Sequence, residues 1–127
     1  MSRVLVVDDS ATVRTVVRKV LQSSRYRLES EEADGGAAAL ECAGSRPFDV
    51  VFLDCDMPVM DGWATLAELQ RSHPKLAVVM MTGANDNRIV DRARTAGAKE
   101  LLFKPFYPKD IDAVRNRLFG LMPAKVT

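Results

Sequence analysis

The stretch from residue 50 to residue 58 constrains the fold more than any other part of the chain. Its first four residues are apolar, and they lead directly into a carboxylate, Asp54. An apolar run of this length is typical of a strand that is buried on both faces. Met57, Pro58 and the Asp-Gly pair that follows them predict a turn immediately after the strand. Asp54 is therefore predicted to end a central strand, at the edge where open α/β sheets bind their ligands.

The rest of the chain repeats this alternation of a short apolar run and a helical pattern. Predicted strands cover residues 3–7, 26–33, 50–54, 76–81 and 100–103, and the second, being more polar, is expected at a sheet edge. The first predicted helix begins after an N-cap at Asp9 or Ser10. Further helices are predicted over residues 37–43, 62–72 and 86–96, and from about residue 108. The second helix is expected to stop at Gly44. This βαβ rhythm predicts an α/β fold, a doubly wound parallel sheet of five strands with helices on both faces.

Apolar stripes at helical spacing indicate which side of the helices faces the sheet. The stripe residues of the first, third and last helices are Val13, Val16, Val17, Val20, Leu21, Trp63, Leu66, Leu69, Ile111, Val114, Leu118 and Leu121. In the first helix Arg14, Arg18 and Lys19 lie off this stripe, so they are expected on its polar side.

Composition excludes several classes of protein. The 127 residues are 47% hydrophobic and 28% charged, as in a soluble globular domain, and no apolar run approaches the ~20 residues of a membrane span. A net charge of +1 argues against direct binding of nucleic acid or an anionic membrane. One histidine and two cysteines without metal-type spacing exclude a zinc site and a Ser-His-Asp triad. A cytoplasmic protein with reduced cysteines is expected.

Polar residues follow four of the predicted strands, at the point where each strand ends: Asp8 and Asp9, Asp54, Thr82, and Lys104. A parallel sheet brings these ends to one rim. Carboxylates gathered there need a cation, and an oxygen-rich, open site suits Mg²⁺. Each residue alone has an ordinary role in a cap or a turn. Together, a carboxylate nucleophile, a metal, a hydroxyl and an ammonium are the parts required to transfer a phosphoryl group onto Asp54.

Four motifs carry a resemblance to the receiver domain of two-component response regulators, with the chemotaxis receiver as its simplest form. They are Val6-Val7-Asp8-Asp9-Ser10, Leu53-Asp54-Cys55-Asp56-Met57-Pro58-x-x-Asp61-Gly62, Met81-Thr82-Gly83-Ala84 and Phe103-Lys104-Pro105-Phe106. The resemblance runs over essentially the whole chain, with residues 1–122 as the domain and residues 123–127 as a short, frayed C-terminal tail. It implies the flavodoxin-like strand order 2-1-3-4-5, of which the chemotaxis receiver is an example, so the order follows from the resemblance and not from the residues themselves.

The resemblance also implies roles for the acidic residues. Asp54 would accept a phosphoryl group from a histidine kinase or a histidine phosphotransfer protein. Asp9, Asp54 and the backbone carbonyl of Cys55 would hold Mg²⁺, with Asp8 acting through water.

The remaining motif residues would handle the phosphoryl group itself. Thr82 and Lys104 would bond its oxygens, with a backbone N–H of Cys55 or Gly83 nearby. The Lys104–Pro105 peptide would be cis, as X-Pro bonds allow.

Two positions depart from the usual family pattern and bear on the switch. Leu101 replaces the aromatic residue expected three positions before the lysine, so output is expected to depend more on Thr82 and on the loop of residues 83–88, which includes Ala84. Asp56, two positions after Asp54, adds an anion where side chains modulate hydrolysis of the acyl phosphate.

A target protein would bind through residues 86–122, in a C-terminal part (86–127) that carries 9 basic against 5 acidic residues. Turnover of a separate substrate is not expected.

Two alternatives stay open at this point. Asp54-Cys55-Asp56 is similar to the Asp-x-Asp of haloacid-dehalogenase-like phosphatases, in which Asp54 would be the nucleophile and Asp56 the acid/base. Pro58 in place of Thr or Val, and the lack of an acidic pair after Lys104, argue against it. A receiver segment of a longer multidomain regulator is the other alternative. A flavin binder of the same fold is excluded because Asp8 and Asp9 would repel the flavin phosphate.

Overall fold

The alternation predicted from the sequence is present in the computed structural model, which describes residues 2–23, 27–84 and 86–119. In chain order the elements are β1 (Ser2–Val7), α1 (Ala11–Gln22), β2 (Leu28–Ala33), α2 (Gly36–Ser45), β3 (Val50–Asp54), α3 (Gly62–Ser72), β4 (Ala77–Thr82), α4 (Asn87–Thr95), β5 (Glu100–Phe103) and α5 (Pro108–Phe119).

The sheet has the order β2-β1-β3-β4-β5, and every neighbouring pair is parallel. This confirms the predicted order and the edge position of the polar second strand. In the register, Val7 pairs with Leu53 and Asp54 pairs with Met81. The carboxyl ends of β1, β3, β4 and β5 therefore lie along one rim.

Side chains that alternate along the strands point to opposite faces and form two apolar layers. The layer beneath α2 and α3 contains Leu5, Val7, Val51, Leu53, Val78, Met80, Ala39, Ala43, Leu66 and Leu69. The layer beneath α1 and α5 contains Val4, Val6, Phe52, Val79, Met81, Val17, Leu21, Ile111, Val114 and Phe119. Each large side chain stabilises the fold by about 1.5–3 kcal/mol on burial. The helices therefore cover both faces, as predicted, and hold the rim in place.

Three helices begin at side-chain caps that lie on the same rim. Ser10, Asp61 and Asp86 accept hydrogen bonds from backbone N–H groups in the first turns of α1, α3 and α4. Ser10, rather than Asp9, is thus the cap of the first helix. The loops that end β1 and β3 are fixed in this way at their helical ends.

The structure differs from the sequence predictions at several places. The prediction that the second helix ends at Gly44 is wrong, because α2 continues to Ser45, whose hydroxyl donates to the carbonyl of Glu41 at 2.8 Å. A glycine weakens a helix by only about 1 kcal/mol and does not by itself end it. Val16 of the predicted apolar stripe is 37% exposed. Tyr26, Leu121 and residues 123–127 lie outside the described residues.

None of the helices in the described ranges is long and apolar enough to cross a membrane.

Candidate functional site

Three carboxylates meet at the rim where β1 and β3 end. Asp8, Asp9 and Asp54 each offer one oxygen, and these oxygens lie within 4.8 Å of one another. Asp8 and Asp54 are buried, whereas Asp9 is exposed. The gathering of acids predicted from the strand ends is confirmed.

Lys104, which follows β5, joins two of the three carboxylates. Its Nζ lies 3.0 Å from Oδ2 of Asp8 and 3.1 Å from Oδ1 of Asp54. Burial opposes the charge of Lys104, but its hydrogen bonds to the two carboxylates outweigh burial and raise its pKa. The ammonium therefore stays charged and balances part of the negative charge at the rim.

The charged form of Asp54 is disfavoured at this site. Burial is the main cause that raises the pKa of Asp54 to about 6; the hydrogen bond from Lys104 opposes the rise, and the charge of Asp8 adds to it. A second cation would stabilise the charged form. The donor set consists of oxygens with one exposed carboxylate, and such a set fits Mg²⁺, which keeps several waters.

The two oxygens of Asp8 are already engaged. Oδ1 accepts a hydrogen bond from the N–H of Ser10 at 2.9 Å, and Oδ2 contacts Lys104. Direct metal binding through Asp8 would have to displace one of these partners. The exposed Asp9 has no such requirement, so the geometry agrees with an indirect role for Asp8.

Cys55 lies at the rim with its backbone held on both sides. Its N–H donates to the carbonyl of Met81 at 2.8 Å, and its own carbonyl accepts from the N–H of Gly62 at 2.9 Å. One lone pair of the predicted carbonyl ligand is therefore in use, and the second remains for a metal. Burial, followed by the charge of Asp56, raises the pKa of the Cys55 thiol to about 12, so the thiol stays protonated.

Gly62 is a site residue that the sequence placed in the turn after the third strand, at the start of the third helix and in the second motif, but to which it gave no role of its own. A Cβ built on it would lie 2.0 Å from the carbonyl oxygen of Asp54 and 2.7 Å from Cα of Cys55. The first turn of α3 thus passes directly over the end of β3, and only glycine leaves room for this approach. A glycine directly after the acidic cap Asp61 was the available signal.

Thr82 is buried at the end of β4, and its hydroxyl already interacts with neighbouring residues. Oγ1 accepts a hydrogen bond from the N–H of Ala84 at 3.0 Å and also contacts the thiol of Cys55. The carbonyl of Thr82 accepts from the N–H of Lys104 at 2.6 Å. The ends of β4 and β5 are therefore tied together beside Asp54.

Two of the residues expected to modulate the switch, Asp56 and Ala84, contact residues of this site, whereas Leu101 lies within β5. Asp56 is exposed, and its N–H donates to Oδ1 of Asp54 at 3.3 Å. Ala84 is exposed, and Leu101 is partly buried against the apolar layer beneath α2 and α3. The Lys104–Pro105 peptide is cis, as the resemblance implied.

A contact between α3 and α4 was not foreseen from the sequence. The guanidinium of Arg92 lies 4.2 Å from the ring centroid of Trp63, a cation–π distance. Trp63 is only partly buried, so the predicted inward side chain packs on the apolar layer while Arg92 covers its ring. This contact connects the helix after the acid-bearing strand to the helix after Thr82.

Comparison with known proteins gives a consistent result. The family "Response regulator receiver domain" matches residues 4–115. Protein CcdB of Bacillus subtilis is 38% identical over 120 residues, which cover 94% of this chain and 99% of CcdB. The two-component response regulator ORR11 of Oryza sativa is 36% identical over 118 residues, which cover 91% of this chain and 79% of ORR11. The solved structure of chemotaxis response regulator CheY4 of Vibrio cholerae superposes with a TM-score of 0.85 at 31% identity, covering 93% of this chain and 98% of that one.

Proposed function

Since the chain belongs to the receiver domains of two-component response regulators, we propose that phosphorylation of Asp54 switches its interactions with other proteins. The phosphoryl donor is a phosphohistidine on a histidine kinase or a histidine phosphotransfer protein. The observation that carries the proposal is the bridge from Lys104 to Asp54 and Asp8 within a cluster of three carboxylates. The phosphatase alternative is not retained, because the family is that of receivers.

The carboxylate of Asp54 is the nucleophile. An oxygen of Asp54 forms a bond to phosphorus, the N–P bond of the phosphohistidine breaks, and the electron pair of that bond returns to the imidazole. Lys104 and the N–H of Asp56 both contact Oδ1. We assign the attack to Oδ2, since the contacts on Oδ1 orient the carboxylate without blocking its second oxygen.

Asp9 and Asp54 would hold Mg²⁺ directly, with the second lone pair of the Cys55 carbonyl as a further ligand and Asp8 acting through water. When bound, the ion supplies positive charge that stabilises the oxygens of the transferring phosphoryl group. Asp8 keeps Lys104 charged and positioned beside Asp54.

Lys104 and Thr82 respond to the new charge. The Lys104 ammonium exchanges its bond to Asp54 for one to a phosphoryl oxygen. The Thr82 hydroxyl rotates to donate to another, and the hydrogen bond that it accepts from Ala84 is then lost. The loop of residues 83–88 moves, which shifts an equilibrium between two packings of α4, β5 and α5.

The output surface is the region of residues 86–122, with Leu101 changing its partial burial as the loop moves. The exposed carboxylate of Asp56 and the small side chain of Ala84 modulate the access of water that hydrolyses the acyl phosphate. We propose residues 1–122 as the receiver domain, 123–127 as a tail, and the cytoplasm as its location. The chain releases only the phosphoryl group that it accepted and turns over no separate substrate.

Intact mass spectrometry tests this function. Incubation with Mg²⁺ and a small acyl phosphate is expected to add one phosphoryl group. No addition is expected when a metal chelator is present from the start. Asp54→Asn is expected to abolish the addition, and Asp56→Asn, its matched control, is expected to retain it. Unmodified mass in the wild-type chain, or steady turnover of a phosphomonoester, would contradict the proposal.

A further inference from the structure

Arg14 lies outside the carboxylate cluster but contacts the loop that carries two of its members. Its Nη1 donates to the backbone carbonyl of Asp8 at 2.7 Å, and its Nε donates to Oε1 of Glu32 at 2.6 Å. Its side chain is only 16% exposed. One guanidinium therefore bridges the end of β1 and the edge strand β2.

The contact with Asp8 restrains the residue that follows it. The carbonyl of Asp8 belongs to the same planar peptide unit as the nitrogen of Asp9, so a hydrogen bond on this carbonyl fixes the orientation of the unit. The other sides of the turn are held by the bond from the Asp8 N–H to Ala33 at 3.2 Å and by the Ser10 N–H on the Asp8 carboxylate. The Asp9 side chain, which is exposed, depends on this backbone for its position.

Arg18, one turn along the same helix, makes a contrasting set of contacts. It also pairs with Glu32, and it donates to the hydroxyl and the carbonyl of Ser30 at 2.9 and 3.0 Å. All of these partners are on β2. Arg14 and Arg18 therefore carry the same charge on the same helix face and share one carboxylate. Of these two arginines, only Arg14 donates to the turn of Asp8 and Asp9 among the contacts that the structure describes.

We propose that Arg14, anchored by Glu32, is a positioning residue for Mg²⁺ binding, because it fixes the peptide unit that orients Asp9. This inference rests on the proposed function. Partners of metal ligands outside the coordination sphere commonly change metal affinity 10- to 100-fold when they are replaced.

Geometry and charge predict opposite signs for the effect, which makes the inference testable. Replacing an arginine near three carboxylates removes a positive charge, so electrostatics alone would strengthen Mg²⁺ binding. Loss of the bridge would weaken it. We expect Arg14→Gln to raise the dissociation constant of Mg²⁺ about 10-fold and Arg18→Gln to leave it the same or lower.

The experiment is isothermal titration of the full chain with Mg²⁺ at fixed ionic strength. Arg14→Lys can keep one of the two hydrogen bonds of the guanidinium, to the Asp8 carbonyl or to Glu32, so it is expected to weaken binding by a smaller factor than Arg14→Gln, which loses the bridge. Urea unfolding of each variant checks that the fold is retained. Arg18→Gln, whose contacts all lie on β2, is expected to be phosphorylated on Asp54 at the wild-type rate.

Unchanged or tighter Mg²⁺ binding in Arg14→Gln would overturn the inference, as would equal weakening in Arg14→Gln and Arg18→Gln. If the wild-type chain is phosphorylated on Asp54 while either of these results is found, only the positioning role of Arg14 is lost. A wild-type chain that neither binds Mg²⁺ nor accepts a phosphoryl group removes the inference together with the proposed function.

Discussion

Asp54→Asn is expected to stabilise the fold at neutral pH. The pKa of Asp54 is raised in the folded chain from 3.8 to about 6, mainly by burial. A carboxyl group that binds its proton more tightly when folded favours the folded state at low pH. Stability is then lost as the pH rises from about 4 to about 6, and above that range the full penalty of the charged carboxylate is present. The neutral amide has no such penalty.

The magnitude follows from the size of the pKa difference. Each pKa unit corresponds to about 1.4 kcal/mol, so the charged carboxylate destabilises the fold by at most ~3 kcal/mol. Solvent at the rim reduces this figure, and the amide loses the ionic part of the bond to Lys104. We therefore expect Asp54→Asn to raise the free energy of unfolding by about 1.5 kcal/mol at pH 7.5 and by about half as much at pH 5.

Equilibrium urea unfolding at several pH values measures this difference, with Asp56→Asn as the control. Asp56 is exposed, so its replacement is expected to change stability by less than ~0.5 kcal/mol. Added Mg²⁺ is expected to stabilise the wild-type chain more than Asp54→Asn, because binding to the folded state adds to its stability. A variant that is less stable than wild type at pH 7.5, or whose advantage does not grow between pH 5 and pH 7.5, would refute the electrostatic reasoning.

Three further perturbations test separate contacts. Gly62→Ala is expected to lower the free energy of unfolding by at least ~2 kcal/mol, because its Cβ would meet a backbone atom at 2.0 Å. Gly44→Ala has open space around it and is expected to raise the free energy of unfolding by about 0.5–1 kcal/mol. Urea unfolding compares the two variants, and equal effects would contradict the close approach at Gly62. Lys104→Met is expected to destabilise the fold by about 2 kcal/mol at pH 7.5. This loss is expected to shrink towards pH 5 as Asp54, whose pKa is raised to about 6, takes up its proton, and a loss independent of pH would argue against the bridge. Arg92→Ala is expected to lower stability by about 0.5–1 kcal/mol and to shift the emission of Trp63, the one tryptophan in the sequence; unchanged emission would show that the ring is not covered in solution.

Most of the fold was predictable because its signals are local. Apolar runs of strand length and apolar stripes at helical spacing are properties of short segments, and the parallel arrangement follows from their alternation. The gathering of Asp8, Asp9, Asp54 and Lys104 was equally predictable, since each residue lies at the carboxyl end of a strand or just after it and the carboxyl ends of parallel strands share one rim.

The missed features depend on distances between segments that are remote in the sequence. The need for glycine at position 62 arises from the approach of α3 to the end of β3. The glycine after the cap Asp61 marks the position in the sequence but does not reveal this approach. The bridge made by Arg14 needs the edge of β2, and the cover of Trp63 by Arg92 needs α4 beside α3. Gly44 shows the opposite error, because a local signal predicted a helix end at a position where α2 still continues to Ser45.

The bond between Lys104 and Asp8 has a consequence for the order in which the protein acquires its site. The two residues are 96 positions apart in the chain, and β5, which precedes Lys104, lies at one edge of the sheet. During synthesis the acids of the first and third strands emerge well before the lysine that balances them, and closing so long a loop is slow. A nascent chain therefore cannot complete the cluster of Asp8, Asp9, Asp54 and Lys104 until β5 and the lysine that follows it have left the ribosome and the fifth strand has docked.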